Sequence, residues 1–513
     1  MGVKALVTGV SLYSIKKDID LPFCKNDVVE VEKALNLGLK VEKECIYTLG
    51  KTGIVSRNDF SRGLSMVMDE LKEEDTLIFY FSGHGTKYEN THCLVFSDGF
   101  IATNEIIEYF EQIKCKNKVI FLDACLSGDF SIDKHVKFDI EDTISEFVSK
   151  GYAVLSSSNS QQFSYPHPNG KISLFTSFLC EALYNKCIVR EGRKSLYDIQ
   201  RLVKLYLEVW NTSNSYIKQE PIFRSKIGGT IYFNVENYTP YCIKKVYEET
   251  EKYIIYNVEP IHSGLVKRYA VRVILKEPFS IEEISKISLE IKEKIKHVEV
   301  YSNSIMENRL KGLDANIVVM YFGLDEEDMI LHRHMFIVTW VDENQDKDYW
   351  YRVNNKNTFI KNGVRFEVVS YYELLKNLEK ENVGEKKEFI FKTKEIASRL
   401  ITDVEKFISL YNEYRNGEYN EIKFVELTNE LRERMSNYYL KSTNLEFPPT
   451  EFYEWSNAYS GLFGTIYDFT LFYNNNGMTQ REERNRKNCT ESTIKRYYEE
   501  LEKIKKLESN LDL

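Results

Sequence analysis

Two apolar runs constrain this chain most, TLIFYFS at 76–82 and KVIFLD at 118–123. A strand with one wet face alternates apolar and polar residues, whereas a nearly unbroken run marks a strand covered on both faces. Such strands belong to a mostly parallel sheet with a helix layer on each side. Strand patterns at 3–10, 44–49 and 153–157 alternate with helical patterns near 27–37, 59–71, 104–113 and 174–183. A helix at 195–209 and short strands near 220–223 and 230–233 complete an α/β domain over residues 1–235.

The chain has 513 residues, enough for two to four domains at roughly 150 residues each. Residues 240–357 read as a smaller α+β domain, with strand patterns at 269–275, 315–322 and 334–341 and a helix at 281–295. Residues 385–513 read as mainly helical, with the clearest periodicity at 396–411 and 424–439. Acids outnumber bases, 78 to 69, and the net charge of −9 argues against non-specific nucleic-acid binding. No apolar run reaches 18 residues, so no membrane span is expected. The N-terminal apolar stretch alternates like a strand and lacks a small-residue cleavage site, so it is not read as a signal peptide. The nine cysteines include no CxxC pair, which points to free thiols in a reducing cytoplasm rather than a disulfide framework or a zinc ribbon.

Chemistry concentrates at the ends of the two apolar runs. The first leads into Ser82-Gly83-His84-Gly85, the second into Asp123-Ala124-Cys125-Leu126-Ser127-Gly128. Glycines beside a histidine let the backbone turn or approach a ligand closely. In an open parallel sheet, sites form at the carboxyl ends of strands. If the two strands are adjacent, His84 and Cys125 meet there. An imidazole beside a thiol lowers its pKa or takes its proton during attack. The backbone N–H groups of Gly85 and Cys125 are candidate donors to the resulting oxyanion.

FYFSGHG followed by FLDACLSG resembles the two hallmark segments of the caspase-like cysteine peptidases, and among them the metacaspases most closely. Asp123 stands where animal caspases have Gln, and Leu126 stands where metacaspases usually carry His. The opening KALVTGV, the Cys24-Lys25-Asn26-Asp27 segment and the later LSSSNSQQFSY and LFTSFLCEAL extend the resemblance over residues 3–235. It implies a caspase-like sheet, His84 and Cys125 as catalytic dyad, and cleavage after Arg or Lys. The S1 pocket would take its acidity from Asp27 and Asp123 and be lined by Cys24 and Ser82. Two converging carboxylates bind a guanidinium and repel an acidic side chain. A plain helix cap at Asp27 and a turn at Asp123 are the competing readings. Ser156, Ser157 and Ser158 would present main-chain groups to an extended substrate at a sheet edge. Self-cleavage would fall between Cys125 and that strand, where Lys134, Lys137 and Lys150 lie.

No cofactor is expected. Some metacaspases use calcium, and the acids Asp139, Glu141 and Asp142 leave that open, although no D-x-D-x-D-G loop is present. The expected partner is a protein or peptide substrate. Bacterial caspase-like peptidases are often effectors in defence or cell death, restrained by an attached sensor. By that resemblance the C-terminal region would sense a partner or a small nucleotide-type signal, or would drive oligomerisation. Its aromatic segment, with Trp455, Tyr459, Phe463, Tyr467, Phe469, Phe472 and Tyr473, would either stack a base or form a helix core. Two other classes stay open: an inactive caspase-like scaffold, and a different thiol hydrolase on a similar sheet.

Overall fold

The computed structural model describes residues 2–16, 18–88, 91–126, 140–157, 165–167, 170–214, 218–238, 246–351, 357–369, 372, 375–376 and 382–511, with the backbone alone at 125, 126, 140, 142, 213 and 510. It forms two compact units, Met1–Tyr372 and Glu373–Leu513.

The first unit opens with the expected alternation. Strands β1 (Val3–Gly9), β2 (Ile46–Leu49), β3 (Thr76–Tyr88), β6 (Asn117–Leu126) and β7 (Ala153–Ser156) run parallel, and β9 (Ile222–Ser225) closes the edge antiparallel. The order is β2-β1-β3-β6-β7-β9, with the hairpin β4 (Thr91–Phe96) and β5 (Gly99–Ala102) hung on the far end of β3. A small ladder pairs β8 (Arg193–Ser195) with β10 (Tyr232–Asn234).

The double burial read from TLIFYFS is real. Phe79 and Phe81 pack under helices α2 (Arg57–Glu70), α3 (Thr103–Gln112) and α4 (Ile140–Ser149). Ile78 and Tyr80 face the opposite layer, α1 (Cys24–Gly38), α5 (Leu174–Tyr184) and α6 (Leu196–Ser213). Serines set the helix starts: Ser56 caps α2 in a reciprocal box with Asp59, and Ser173 and Ser195 cap α5 and α6. Gly38 lets α1 lie tight on α5, because a Cβ there would sit 2.3 Å from the Leu183 carbonyl oxygen.

A boundary was expected between residues 235 and 240, yet residues through Tyr372 belong to the same compact unit. A seven-stranded sheet follows, β11 (Glu248–Glu249), β12 (Tyr253–Pro260), β13 (Arg268–Leu275), β14 (Ile317–Gly323), β15 (Phe336–Val341), β16 (Thr358–Lys361) and β17 (Val364–Val368), in the order β11-β12-β13-β14-β15-β17-β16. Helix α7 (Ile281–Ile295) crosses between the parallel pair β13 and β14. One face of this sheet, with Tyr269, Val271, Met320, Phe336 and Phe366, shares a single apolar cluster with α1, α5 and α6. The second sheet is therefore built onto the helix layer of the first. Among the described residues this part also carries the short helices α8 (Ser304–Leu310), α9 (Glu326–Ile330) and α10 (Lys347–Trp350).

The second unit is helical: α11 (Lys386–Arg415), α12 (Glu421–Leu427), α13 (Asn429–Ser442), α14 (Tyr453–Phe472), α15 (Asn475–Gln480) and α16 (Glu483–Asn510). Its aromatic segment builds the core. Trp455, Tyr459, Phe463, Phe469 and Tyr473 are buried against Phe407, Phe424 and Tyr497, so these rings are not presented to a base. Tyr467 is half-buried and stacks on Tyr439 at 4.3 Å. No helix among the described residues is long and apolar enough to cross a membrane.

Candidate active site

His84 sits inside its strand rather than at its end, whereas Cys125 is the last residue but one of its strand. β3 continues straight through Ser82-Gly83-His84-Gly85 to Tyr88, and β6 runs on to Leu126. Neither Gly83 nor Gly85 adopts positive φ, so the glycines do not make the expected turn. What Gly83 provides is proximity: a Cβ there would lie 3.0 Å from Tyr13 Oη and 3.1 Å from Phe81 Cζ.

The parallel register pairs Ser82 with Asp123 and, two residues on, His84 with Cys125. Adjacent strands lie about 4.8 Å apart, so the His84 and Cys125 backbones are at ladder spacing. The side chain of Cys125 is outside what the structure describes. Gly85 has ladder neighbours on both sides, Leu126 on β6 and Leu94 on β4.

His84 is 3% exposed and tightly held. Its Nε2–H donates to the Ile19 carbonyl at 2.6 Å. That bond places the proton of the neutral ring on Nε2 and makes Nδ1 the basic atom. The His84 backbone N–H donates to Tyr13 Oη at 3.1 Å, and the Tyr13 hydroxyl donates to the Val10 carbonyl at 2.9 Å. The Tyr13 ring lies against the imidazole with centroids 4.9 Å apart. Burial pushes the imidazole below its ordinary pKa, opposed by the Ile19 carbonyl and the Asp20 charge. A neutral imidazole at pH 7 is the form a general base requires.

The acids meet beneath this rung. Asp27 lies in the first turn of α1, fully buried, and Asp123 is 2% exposed on β6. Asp27 is no helix cap: its Oδ2 accepts from Ser82 Oγ at 2.7 Å and its Oδ1 from the Ser173 backbone N–H at 2.8 Å. Asp123 is no turn residue: its Oδ2 accepts from Thr176 Oγ1 at 2.8 Å and from the Ser173 hydroxyl. Burial, then the charge of Asp123, holds the Asp27 carboxyl well above the usual range. Cys24 opens α1 as a buried thiol outside any disulfide, and its carbonyl oxygen abuts Gly9, where a Cβ would meet it at 2.4 Å. Sequence reasoning missed Ser173 and Thr176. The readable sign was a helix-capping serine directly ahead of the LFTSFL run.

The expectation for the serines after β7 needs correcting. β7 lies between β6 and β9, with Ser156 opposite Leu122 on one side and Ile222 on the other, so it is no sheet edge. The Ser157 N–H donates to the Leu122 carbonyl at 2.9 Å, and its carbonyl accepts from Gln219 Nε2 at 2.8 Å. These main-chain groups are already taken. Ser158, Lys134, Lys137 and Asp139 lie outside the described residues. Asp98, a third acid near this edge, is a turn residue paired with Arg57 at 3.7 Å.

Residues 3–232 match the family described as Peptidase_C14, the caspase domain. Among solved structures, caspase-1 from Spodoptera frugiperda is similar at 14% identity, over 46% of this chain and 90% of that one, with a TM-score of 0.33. A structure described as pro-sf-caspase-1 is similar at 16% identity, over 46% and 91%, with a TM-score of 0.32. Among curated proteins none matches. The N-terminal part of the chain is thus a caspase-like α/β domain matched to the caspase family over residues 3–232, which supports a cysteine peptidase in general terms.

Proposed function

We propose that the chain is a cysteine endopeptidase that cleaves after Arg or Lys, with Cys125 as nucleophile and His84 as general base and then acid. The observation that carries the reading is the pairing of His84 with Cys125 across β3 and β6, with the imidazole anchored through Nε2 on the Ile19 carbonyl. In this mechanism His84 Nδ1 takes the thiol proton as sulfur bonds to the scissile carbonyl carbon. Backbone N–H groups at this edge, Gly85 and Cys125 being the candidates, receive the oxyanion. The C–N bond then breaks, His84 returns its proton to the leaving amine, and water hydrolyses the acyl-enzyme in the reverse roles.

Specificity is assigned to Asp27 and Asp123, with Ser82 and Cys24 beside them. The Ser82–Asp123 rung lies two residues from the dyad rung, about 7 Å along the strands. A long P1 side chain reaches that depth. Its cation would face two carboxylates and offset the burial and the Asp123 charge that together keep the Asp27 carboxyl high. Ser156 and Ser157 retain a place near the site as support for β7 rather than as substrate contacts.

The second unit is assigned a regulatory role, in which a partner or a small signal controls the peptidase, in keeping with a defence or cell-death effector. What supports this is economy: the caspase match needs residues 3–232 alone, and Glu373–Leu513 has a separate core. The test is a fluorogenic peptide panel with Arg, Lys, Asp or Leu at P1. Wild type and Cys125→Ala are assayed with and without calcium, and with extract from stressed host cells. Turnover after Arg or Lys that Cys125→Ala loses by about 10³-fold or more is expected. Turnover that survives in Cys125→Ala, or prefers Asp, overturns the reading.

A further inference from the structure

The dyad has a direction, and the sheet order converts it into a prediction about the other half of the substrate. On the proposed reaction, the acyl half of the substrate ends on Cys125 and the leaving amine takes its proton from His84. The first residue after the scissile bond therefore lies on the His84 side of the pair. Going from Cys125 through His84, the order β6-β3-β1-β2 leads to the loops that follow β1 and β2.

Those loops are bonded to one another and to β3, and form a shelf that carries three exposed aliphatic side chains. Val10 N–H donates to the Ser82 carbonyl at 2.9 Å, tying the start of the β1 loop to β3. The Ser11 and Leu12 N–H groups both donate to the Gly53 carbonyl at 2.9 Å, joining the two loops. Gly53 has φ of +91°, and a Cβ there would press on Ser11 Cβ at 3.1 Å and Leu12 Cγ at 3.5 Å, so the junction needs glycine. Ser14 N–H and its hydroxyl both bond the Ser97 carbonyl, and Tyr13 N–H bonds Asp20 Oδ1 at 3.0 Å. The inner side of this loop holds His84 through Tyr13 and Ile19. Its outer side exposes Leu12 at 41% and Ile15 at 38%, and the neighbouring loop exposes Ile54 at 57%. These aliphatic side chains, on two loops bonded to each other and next to the residues that hold the buried histidine, offer apolar contact to a substrate residue that passes over them.

We infer that this shelf is the primed-side subsite, and that it selects an apolar side chain at the first two positions after the scissile bond. The inference rests on the proposed peptidase reaction. The experiment uses the full chain and internally quenched peptides with Arg at P1 and Leu, Phe, Gly or Glu at P1′ and P2′. Hydrolysis of an Arg-coumarin amide, which has no primed residue, reports the underlying reaction separately. Leu and Phe should exceed Glu in kcat/KM by about tenfold at one of the two positions. In Ile54→Lys and Leu12→Lys the Leu-to-Glu ratio should fall below that of wild type. Equal rates across the panel while the coumarin amide is cleaved overturn the subsite alone, as does a ratio unmoved in both variants. No cleavage of any substrate removes the peptidase reading and the subsite with it.

Discussion

Asp27 and Asp123 are joined through one residue: the backbone N–H of Ser173 donates to the Asp27 carboxylate, and its hydroxyl donates to that of Asp123. Two carboxylates thus meet at the N-terminus of α5, where backbone donors and the helix dipole favour negative charge. That partly offsets a costly arrangement, because both are buried and Asp27 is held above its ordinary value of 3.8. In the pH window above 3.8 the folded chain binds a proton at Asp27 that the unfolded chain has released. Stability therefore falls as pH rises through that window and stays reduced above the folded value. Asp27→Asn is neutral and close in shape, so it escapes this penalty. Thermal melts from pH 4 to pH 8 should show wild type losing Tm relative to Asp27→Asn as pH rises. Parallel curves would rule out a raised Asp27.

The same variant separates stability from specificity. Asp123→Ala and Asp27→Asn should each lower kcat/KM for Arg at P1 by about tenfold or more, and change a Leu substrate far less. Equal losses on both substrates would break the S1 assignment.

His84 should leave its mark on the pH profile. Burial lowers its pKa from 6.5, so the imidazole stays neutral to lower pH than a solvated one. The acid limb of kcat/KM reports the essential base of the free enzyme. It should therefore have its midpoint below 6.5. A midpoint well above 6.5 would show that another group is titrating.

Tyr13 positions His84 without reaching the reacting atoms. Its hydroxyl accepts from the His84 backbone and donates to Val10, and its ring braces the imidazole. Tyr13→Phe keeps the ring and leaves a buried N–H without that acceptor, a cost of about 1–3 kcal/mol. We expect kcat to fall about tenfold with KM steady, and the acid limb to move. A variant that only loses Tm, with kcat intact, would make Tyr13 purely structural.

The sheet was legible because TLIFYFS and KVIFLD cannot leave either face wet, and burial on both sides then forces helices above and below. The pairing of His84 with Cys125 was legible only as a condition. Register depends on contacts between strands, which a sequence does not display. Ser173 lies 146 residues from Asp27 in the chain, and the partner of His84 is a main-chain carbonyl that any residue in place of Ile19 would supply. Neither carries a compositional sign. The boundary expected near residue 240 dissolved for a similar reason. Tyr269 falls in a strand pattern assigned to a separate domain, yet it packs into the cluster that covers α5 and α6.

Lys194 gives a last test, of the packing behind the acidic pair. It is 2% exposed, and its ammonium donates to the carbonyls of Gly38 and Leu183, near the C-terminal ends of α1 and α5. Burial pushes its pKa from 10.5 down to about 7. Between about pH 7 and 10.5 the unfolded chain carries a proton at Lys194 that the folded chain lacks, so this group adds stability as pH rises through that window. Lys194→Met has no such dependence and leaves two helix-end carbonyls without their donor, at about 1–3 kcal/mol. Urea midpoints for wild type should therefore lie above those of Lys194→Met at pH 7, and the gap should widen by pH 9. A gap that narrows would mean that the amine stays charged in the fold, with the carbonyls at the ends of the two helices holding the proton against the cost of burial.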